Sequence, residues 1–410
     1  MKLKVFEIIL TNNDCVYYSG QTLQGHVILE LEKRTKVSGI RLFIRGKAFV
    51  HWTEQTMRGP GESRHKETRH HSATEDYFDV SQPLLTKATE TGQPEEKRIL
   101  DAGQYTYPFT FVIPQSAPSS FEGKYGFVRY WVKVTVERHW KEDVSVKKLF
   151  SVVCPVDLNR EPPASQPTHN KKEKRLCCLC CTSGPITADL SLSHRGFVAG
   201  EKVYISADVK NRSRRKIGST SVELLMTTTF YAQNKSRSVT EQVASLHHGA
   251  LSPGKTDCWE EEQFVIPPLP PSFMIGCSIM DVKYTLELRV FPVGPAFELA
   301  VPVEIIIGTV PLNSTIDNFI IMHQMTPPTP RNVQRSALKG AAPVFPDNNH
   351  IPALVPSSFS KSPMCHFHLR DDEDDQRTIM ESFTPKFLYY NFQVIPQRRN
   401  QTKSRMIHYA

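Results

Sequence analysis

Apolar and polar residues alternate with a period of two along much of the chain. Val282, Tyr284, Leu286, Leu288 and Val290 fall on one face of an extended segment, with Lys283, Thr285, Glu287 and Arg289 on the other. Tyr130, Val132, Val134 and Val136 stand in the same way against Lys133, Thr135 and Glu137. Val203, Ile205, Ala207 and Val209 repeat the pattern, as do Val27, Leu29 and Leu31. One dry face and one wet face per strand is the mark of antiparallel sheets packed in pairs. Helical periodicity is nearly absent, and Gly and Pro punctuate the runs. The pattern predicts an all-β protein built from antiparallel sandwiches.

The pattern also repeats. Phe111-Val112-Ile113-Pro114 is followed by a Ser-Phe pair ending at Phe121, and Phe264-Val265-Ile266-Pro267 by one ending at Phe273; an alternating strand comes next each time. Upstream, Tyr18-Ser19-Gly20-Gln21 and Val198-Ala199-Gly200-Glu201 each lead into a strand. Two copies of one immunoglobulin-like sandwich in series account for this. Phe111 lies 91 residues after Gly20 but Phe264 only 64 after Gly200, so the first copy carries an insertion. It is placed in the polar stretch of about 54–99 and expected to be a mobile loop. The expected organisation is a first sandwich over 1–158, a basic and Cys-rich linker over 159–183, a second sandwich over 184–312, and a disordered Pro/Ser-rich tail over 313–410.

Charge and composition narrow the function. The net charge of +8 over 410 residues is mild, and no nucleic-acid-binding module accompanies it, so no nucleic-acid partner is expected. The start, Met-Lys-Leu-Lys-Val-Phe-Glu, alternates like a strand and lacks the apolar core of a signal peptide. No apolar run is long enough to cross a membrane as a helix. Nine Cys, four of them within 177–181, make a poor disulfide framework and suit a reducing, cytoplasmic compartment. Enzyme signatures are missing: there is no Gly-x-Ser-x-Gly, no His-Glu-x-x-His and no dinucleotide fingerprint. Gly20 and Gly25 have phosphate-loop spacing, but His26 stands where the Lys would be. A non-enzymatic binding protein without a cofactor is expected.

Several clusters are candidate sites. Cys177, Cys178, Cys180 and Cys181 follow Lys171, Lys172, Lys174 and Arg175. Four thiols so close cannot complete a zinc tetrahedron without a second pair elsewhere. Reduced cysteines packed at the domain junction are one reading; S-palmitoylation beside a basic stretch that meets an anionic leaflet is the functional one. Arg212, Arg214, Arg215 and Lys216 form a second basic group suited to acidic ligands or lipid, and Lys33, Arg34 and Lys36 hold the comparable place in the first copy. His65, His70, His71, His247 and His248 are expected to be exposed loop residues. In the tail, Asp371–Asp375 is an acidic run, and Thr326, Thr329, Ser362 and Thr384, each before a Pro, are candidate phosphosites.

At these residues the chain resembles the α-arrestins, the arrestin domain-containing proteins. "SSFEGKYGFVRYWVKVTVER" (119–138) is similar to the end of the family's N-terminal domain, and "KEKRLCCLCCTSGPITADLSLSHRGFVAGEKVYI" (172–205) to its interdomain segment and the start of its C-terminal domain. "IIIGTVPL" (305–312) resembles the closing strand, and "VHWTE" (50–54) also fits. The resemblance implies two tandem arrestin sandwiches and an adaptor. Such an adaptor binds membrane cargo (receptors, transporters), recruits ubiquitin ligases through its tail, and directs endocytic sorting, protein transport and signalling from the plasma membrane and endosomes. The family's Pro-Pro-x-Tyr ligase motif is missing, because none of the pairs at Pro162, Pro267, Pro270 and Pro327 leads to a Tyr. The stretch Pro267–Phe273 offers two partial matches at a strand-to-loop junction. A thioredoxin-binding subgroup uses a Cys three residues before a Trp; here that position before Trp259 is Thr256, with Cys258 adjacent instead. The alternative function is a regulator of soluble redox or metabolic partners without ligase recruitment.

Overall fold

Val27, Leu29 and Leu31 are 2% exposed or less, and Val282, Tyr284, Leu286, Leu288 and Val290 are wholly buried, as the alternation requires. The structure, a computed structural model, describes residues 3–58, 65–85, 98–138, 141–178, 181–294, 298–324, 357–365, 378–380 and 383–392.

The first sandwich holds β1 (Leu3–Leu10), β2 (Val16–Tyr18), β3 (Thr22–Leu31), β4 (Thr35–Val37), β5 (Gly39–Arg58), β6 (His65–Leu85), β7 (Arg98–Leu100), β8 (Gly103–Val112), β9 (Phe121–Glu122), β10 (Gly126–Glu137) and β11 (Val144–Val153). One sheet runs β1-β3-β8, and the facing one runs β2-β11-β10-β5-β6. The second sandwich holds β12 (Thr168–Cys178), β13 (Cys181–Leu192), β14 (Gly196–Val198), β15 (Lys202–Asn211), β16 (Ile217–Ala232), β17 (Lys235–His248), β18 (Thr256–Val265), β19 (Met280–Pro292) and β20 (Leu299–Gly308). Its sheets run β12-β13-β15-β18 and β14-β20-β19-β16-β17.

The repeat holds at the level of single hydrogen bonds. Tyr130 donates its hydroxyl to the Pro118 carbonyl at 2.7 Å, and Tyr284 donates to the Pro270 carbonyl at the same distance. Ser120 Oγ accepts from Val152 N and Ser272 Oγ from Ile307 N, each at 2.9 Å. Gly20 and Gly200 turn the chain with φ of 84° and 94°, a region open to glycine. Next to them Gln21 and Glu201 accept from the Tyr18 and Val198 amides at 2.8 and 3.0 Å. The short strands that precede these turns, β2 and β14, pair in parallel with β11 and β20.

Three expectations are corrected. The insertion, expected to be a mobile loop, is strand over its described part: β5 and β6 form a long hairpin paired from Ile40↔Leu85 to Arg58↔His65, while 86–97 lie outside the described residues. The linker is largely strand as well, since β12 pairs with β13 from Thr168↔Leu192 onward. β12 thus adds an edge strand to a sheet of the second sandwich. The structureless tail is corrected over four stretches: α1 (Asn313–Gln324), β21 (Ser357–Lys361), β22 (Thr378–Met380) and β23 (Lys386–Tyr390). β21 and β23 form a hairpin, and β22 pairs in parallel with β11. Apolar burial explains the docking: Phe387, Leu388 and Tyr390 are 2%, 8% and 2% exposed. Tyr390 also donates from its amide to Ala199 O and from its hydroxyl to Thr309 O.

The sandwiches touch through the β9–β10 turn and the long hairpin. Tyr125 meets Phe230 edge-on at 5.8 Å, and the Arg237 guanidinium lies 4.3 Å above the Tyr125 ring. Lys235 pairs with Glu54 at 2.6 Å, and the Ser278 hydroxyl and amide donate to Glu75.

Candidate functional site

β1 is an edge strand. Its inner side pairs with β3 from Val5↔Glu30 to Leu10↔Gly25. Its outer side faces β11 across a groove of about 310 Å³ whose walls include Phe6, Ile8, Ile9, Val146, Lys147 and Lys148. The unpaired N–H and C=O groups of an edge strand are a template for a further strand, and here apolar side chains and two lysines stand beside it.

The second sandwich shows what fits in such a place. By the repeat, β13 corresponds to β1 and β20 to β11. There β12 occupies the gap, paired along β13 and tied to the other wall. Asn170 Nδ2 donates to Pro302 O at 2.6 Å, and Lys174 Nζ to Glu298 O at 3.1 Å. The first sandwich has no strand of its own there among the described residues. Among the described residues the tail pairs with the β11 wall, where Thr378, Ile379 and Met380 lie beside Ser145, Val146 and Lys147 and the Lys386 amide donates to Ser151 Oγ at 3.1 Å, and Lys386 reaches Asp14 beyond β1 at 3.2 Å.

The two basic groups predicted in the linker and after β15 come together. Lys171, Lys172, Lys174 and Arg175 lie on β12, and Arg175 sits opposite Pro185. The Pro185 carbonyl accepts from the Arg212 amide at 3.0 Å. The Asn211 side chain shapes that loop: its Oδ1 accepts from Ser213 N and Oγ, and its Nδ2 donates to Arg215 O. Arg212, Arg214 and Lys216 are exposed and Arg215 half-buried. Cys177 and Cys178 end β12 and Cys181 begins β13, so this basic end of the sheet carries the Cys-rich turn; Cys180 lies outside the described residues. Lys33, Arg34 and Lys36 belong to the other sandwich, where Arg34 pairs with Asp101 at 3.2 Å.

Other candidates are relocated. Ser362, a candidate phosphosite, is buried in the docked tail, and its hydroxyl accepts from Met364 N. Thr384 is half-buried beside β23. Thr326, Thr329 and the acidic run Asp371–Asp375 lie outside the described residues. His71 is not an exposed loop residue: it is buried, stacked on Trp52 at 5.3 Å, with Nε2 3.2 Å from Glu54. His248 stacks on Trp259 at 3.7 Å and meets Asp257 at 2.9 Å. Pro267, Pro270 and Pro271 are buried, which removes the near-matches to a WW ligand. The Cys258 thiol is exposed, and its pKa is raised by a hydrogen bond to Asp208 and the charges around it. Among the described residues no group of three or more His, Cys, Asp or Glu side chains could hold a metal ion, and no helix is long and apolar enough to cross a membrane.

The groove escaped the sequence because an edge strand and its open side depend on topology rather than on local pattern.

Sequence comparison agrees with this architecture. The profile of the arrestin (or S-antigen) N-terminal domain matches residues 6–159, and that of the C-terminal domain matches 182–312. Arrestin domain-containing protein 17 of Caenorhabditis elegans is 34% identical over 320 residues, covering 76% of this chain and 72% of the relative. Arrestin domain-containing protein 4 of Homo sapiens is 31% identical over 298 residues, with 72% and 69% covered. Thioredoxin-interacting protein of Homo sapiens is 30% identical over 290 residues, with 70% of each chain covered.

Proposed function

The chain belongs to the α-arrestin family of arrestin domain-containing, non-enzymatic adaptors, and on that premise we propose that it links membrane cargo to endocytic sorting and ubiquitination machinery. The cargo is the cytoplasmic tail of a receptor or transporter, bound as an added strand on β1. One observation carries this reading: β12 fills the gap between β13 and β20, while the equivalent gap between β1 and β11 is a groove. Strand addition takes its affinity from main-chain hydrogen bonds and its selectivity from side-chain pockets. Ligase recruitment does not run through Pro-Pro-x-Tyr, so the tail engages that machinery by another contact.

The basic end of the second sandwich is the proposed peripheral membrane contact. Lys171, Lys172, Lys174, Arg175, Arg212, Arg214, Arg215 and Lys216 supply charge, and S-palmitoylation of Cys177, Cys178, Cys180 and Cys181 supplies the second anchoring signal. On this reading the protein works in the cytoplasm and is drawn to the plasma membrane and endosomes. Replacing the four cysteines with serine lowers the membrane-bound fraction; an unchanged fractionation rejects the lipid anchor.

The adaptor reading is tested by proximity labelling in cells with wild type and an Ile9→Asp/Lys148→Glu groove variant. Wild type labels receptors or transporters, and the variant loses them by about tenfold while keeping its thermal midpoint. Equal labelling by both rejects the groove as the cargo site. A second reading, a redox regulator of soluble partners, is favoured by the likeness to thioredoxin-interacting protein. The protonated Cys258 thiol is a weak nucleophile for mixed-disulfide formation. A thioredoxin complex that dissolves on adding reductant would establish this reading.

A further inference from the structure

Between β17 and β18 the chain reverses through Ser252-Pro253-Gly254-Lys255. Pro suits the second position of a type II turn and Gly, here with φ of 76°, the third. The Lys255 amide closes the turn onto Ser252 O at 3.2 Å. This turn is tied to the basic end of the second sandwich. Leu251, just before Ser252, and Ile217, just after Lys216, exchange backbone hydrogen bonds at 3.0 and 2.9 Å. Asn211 holds both segments. Its carbonyl accepts from the Gly254 amide and its own amide donates to Lys255 O, while its side chain donates to Leu251 O and Arg215 O. Ser252 is thereby fixed at the end that carries Arg212, Arg214, Arg215 and Lys216.

Among the described residues Ser252, Ser362 and Thr384 each precede a Pro. Ser362 is buried and Thr384 half-buried, whereas Ser252, Pro253, Gly254 and Lys255 are all exposed. A methyl group on Gly254 would meet nothing within 4 Å, so the turn stands in open space. Pro253 directly after the hydroxyl, with Lys255 two residues beyond it, suits the substrate cleft of a proline-directed kinase. A phosphate on Ser252 would bring about −1.5 to −2 charges to this end. An anionic leaflet responds to the summed charge of the surface that faces it, whatever ion pairs that surface contains. The phosphate therefore offsets the pull of about two basic residues.

We propose that Ser252 is a phosphorylation site for a proline-directed Ser/Thr kinase, and that its phosphate releases the basic end of the second sandwich from an anionic membrane. In the transfer the γ-phosphoryl group of ATP passes to Ser252 Oγ. The bond to ADP breaks, the phosphoester forms, and the hydroxyl proton leaves to solvent. The release rests on the peripheral membrane contact proposed above; it does not depend on the groove.

The test uses the full chain, free of lipid modification, with vesicles of phosphatidylcholine alone or mixed with phosphatidylserine. The protein is treated with a proline-directed kinase and ATP, modification of Ser252 is read by peptide mass spectrometry, and partition onto vesicles is measured by sedimentation. Unmodified wild type prefers the phosphatidylserine vesicles. Phosphorylated wild type binds them about tenfold more weakly and keeps its thermal midpoint. Kinase-treated Ser252→Ala binds like the unmodified protein, which assigns the effect to this site among the other Ser-Pro and Thr-Pro positions. Four results overturn the proposal and leave the membrane contact standing: failure of the kinase to modify Ser252, equal binding before and after phosphorylation, the same loss in kinase-treated Ser252→Ala, or a loss accompanied by a lower thermal midpoint. If the unmodified protein shows no preference for phosphatidylserine, the membrane contact itself is overturned, and the release with it.

Discussion

The two sandwiches share an interior and differ at their edges. Tyr130 and Tyr284 make the same hydrogen bond, Ser120 and Ser272 cap equivalent strands, and Gly20 and Gly200 turn the chain alike. The second sandwich fills its lateral gap with β12, whereas the first leaves a groove there and receives the tail along β11. The two copies keep the parts that pack, and among the described residues they differ in the strand that lies beside β13 but not beside β1.

The largest effect tests the shared interior. Phe150 is fully buried between Tyr17 and Tyr130, at ring distances of 5.7 and 5.9 Å. Phe150→Ala costs about 3–5 kcal/mol. Ile305, opposite Tyr284 in the second copy, costs about 2–5 kcal/mol as Ile305→Ala. Chemical denaturation measures both, and a cost under about 1 kcal/mol in one half only would break the equivalence.

Next come the tyrosine hydroxyls. Tyr130→Phe and Tyr284→Phe each strand a buried proline carbonyl and cost about 1–3 kcal/mol. Matching losses sharpen the comparison; a neutral change at one position shows that the hydrogen bonds are not equivalent.

The turn glycines separate the copies. Alanine at either position is strained by its positive φ, at about 1–3 kcal/mol. At Gly20 the new methyl meets only the flexible Gln115 side chain, while at Gly200 it overlaps the Tyr390 carbonyl. Gly200→Ala therefore speeds amide exchange over 386–390, and Gly20→Ala leaves it unchanged. Equal exchange in the two variants would place the tail elsewhere.

The smallest effect is a pH dependence at the contact between sandwiches. The Lys235 hydrogen bond holds the Glu54 carboxyl below its usual 4.5. A lowered carboxyl contributes stability that is complete above 4.5 and lost as pH falls through the folded value. Lys235→Ala lowers the thermal midpoint slightly near neutrality, flattens its fall between about pH 3 and 5, and converges on wild type at lower pH. A variant that retains the full acid slope would remove Glu54 from the account.

Strands with one buried face were legible because burial imposes the period, as in Val203 to Val209 and in β19. The insertion read as a loop because much of β6 is solvent-exposed. Cross-strand pairs such as Arg45–Asp79 at 2.8 Å and Arg58–Glu67 at 3.4 Å border its pairing with β5 instead of a dry face. The linker read as a solvated basic run for a related reason: β12 is an edge strand, and lysines protect edges from unwanted pairing. Its charge was visible while its pairing was not. Tail strands of three to five residues are too short to carry a period, though the aromatic density of Phe387, Tyr389 and Tyr390 was a signal of burial. Both basic groups were read from the sequence; their meeting at Pro185 required the topology.

Among the described residues, the first sandwich leaves a groove beside β1 where β12 lies beside β13 in the second. Photo-crosslinking in cells tests it most directly, with p-benzoylphenylalanine at Ile9 in the groove and, for comparison, at His169 on the outer edge strand β12. Crosslinks to cytoplasmic tails of membrane proteins are expected from position 9 and background only from position 169. Background at position 9, or the same tails captured equally from both positions, would contradict it.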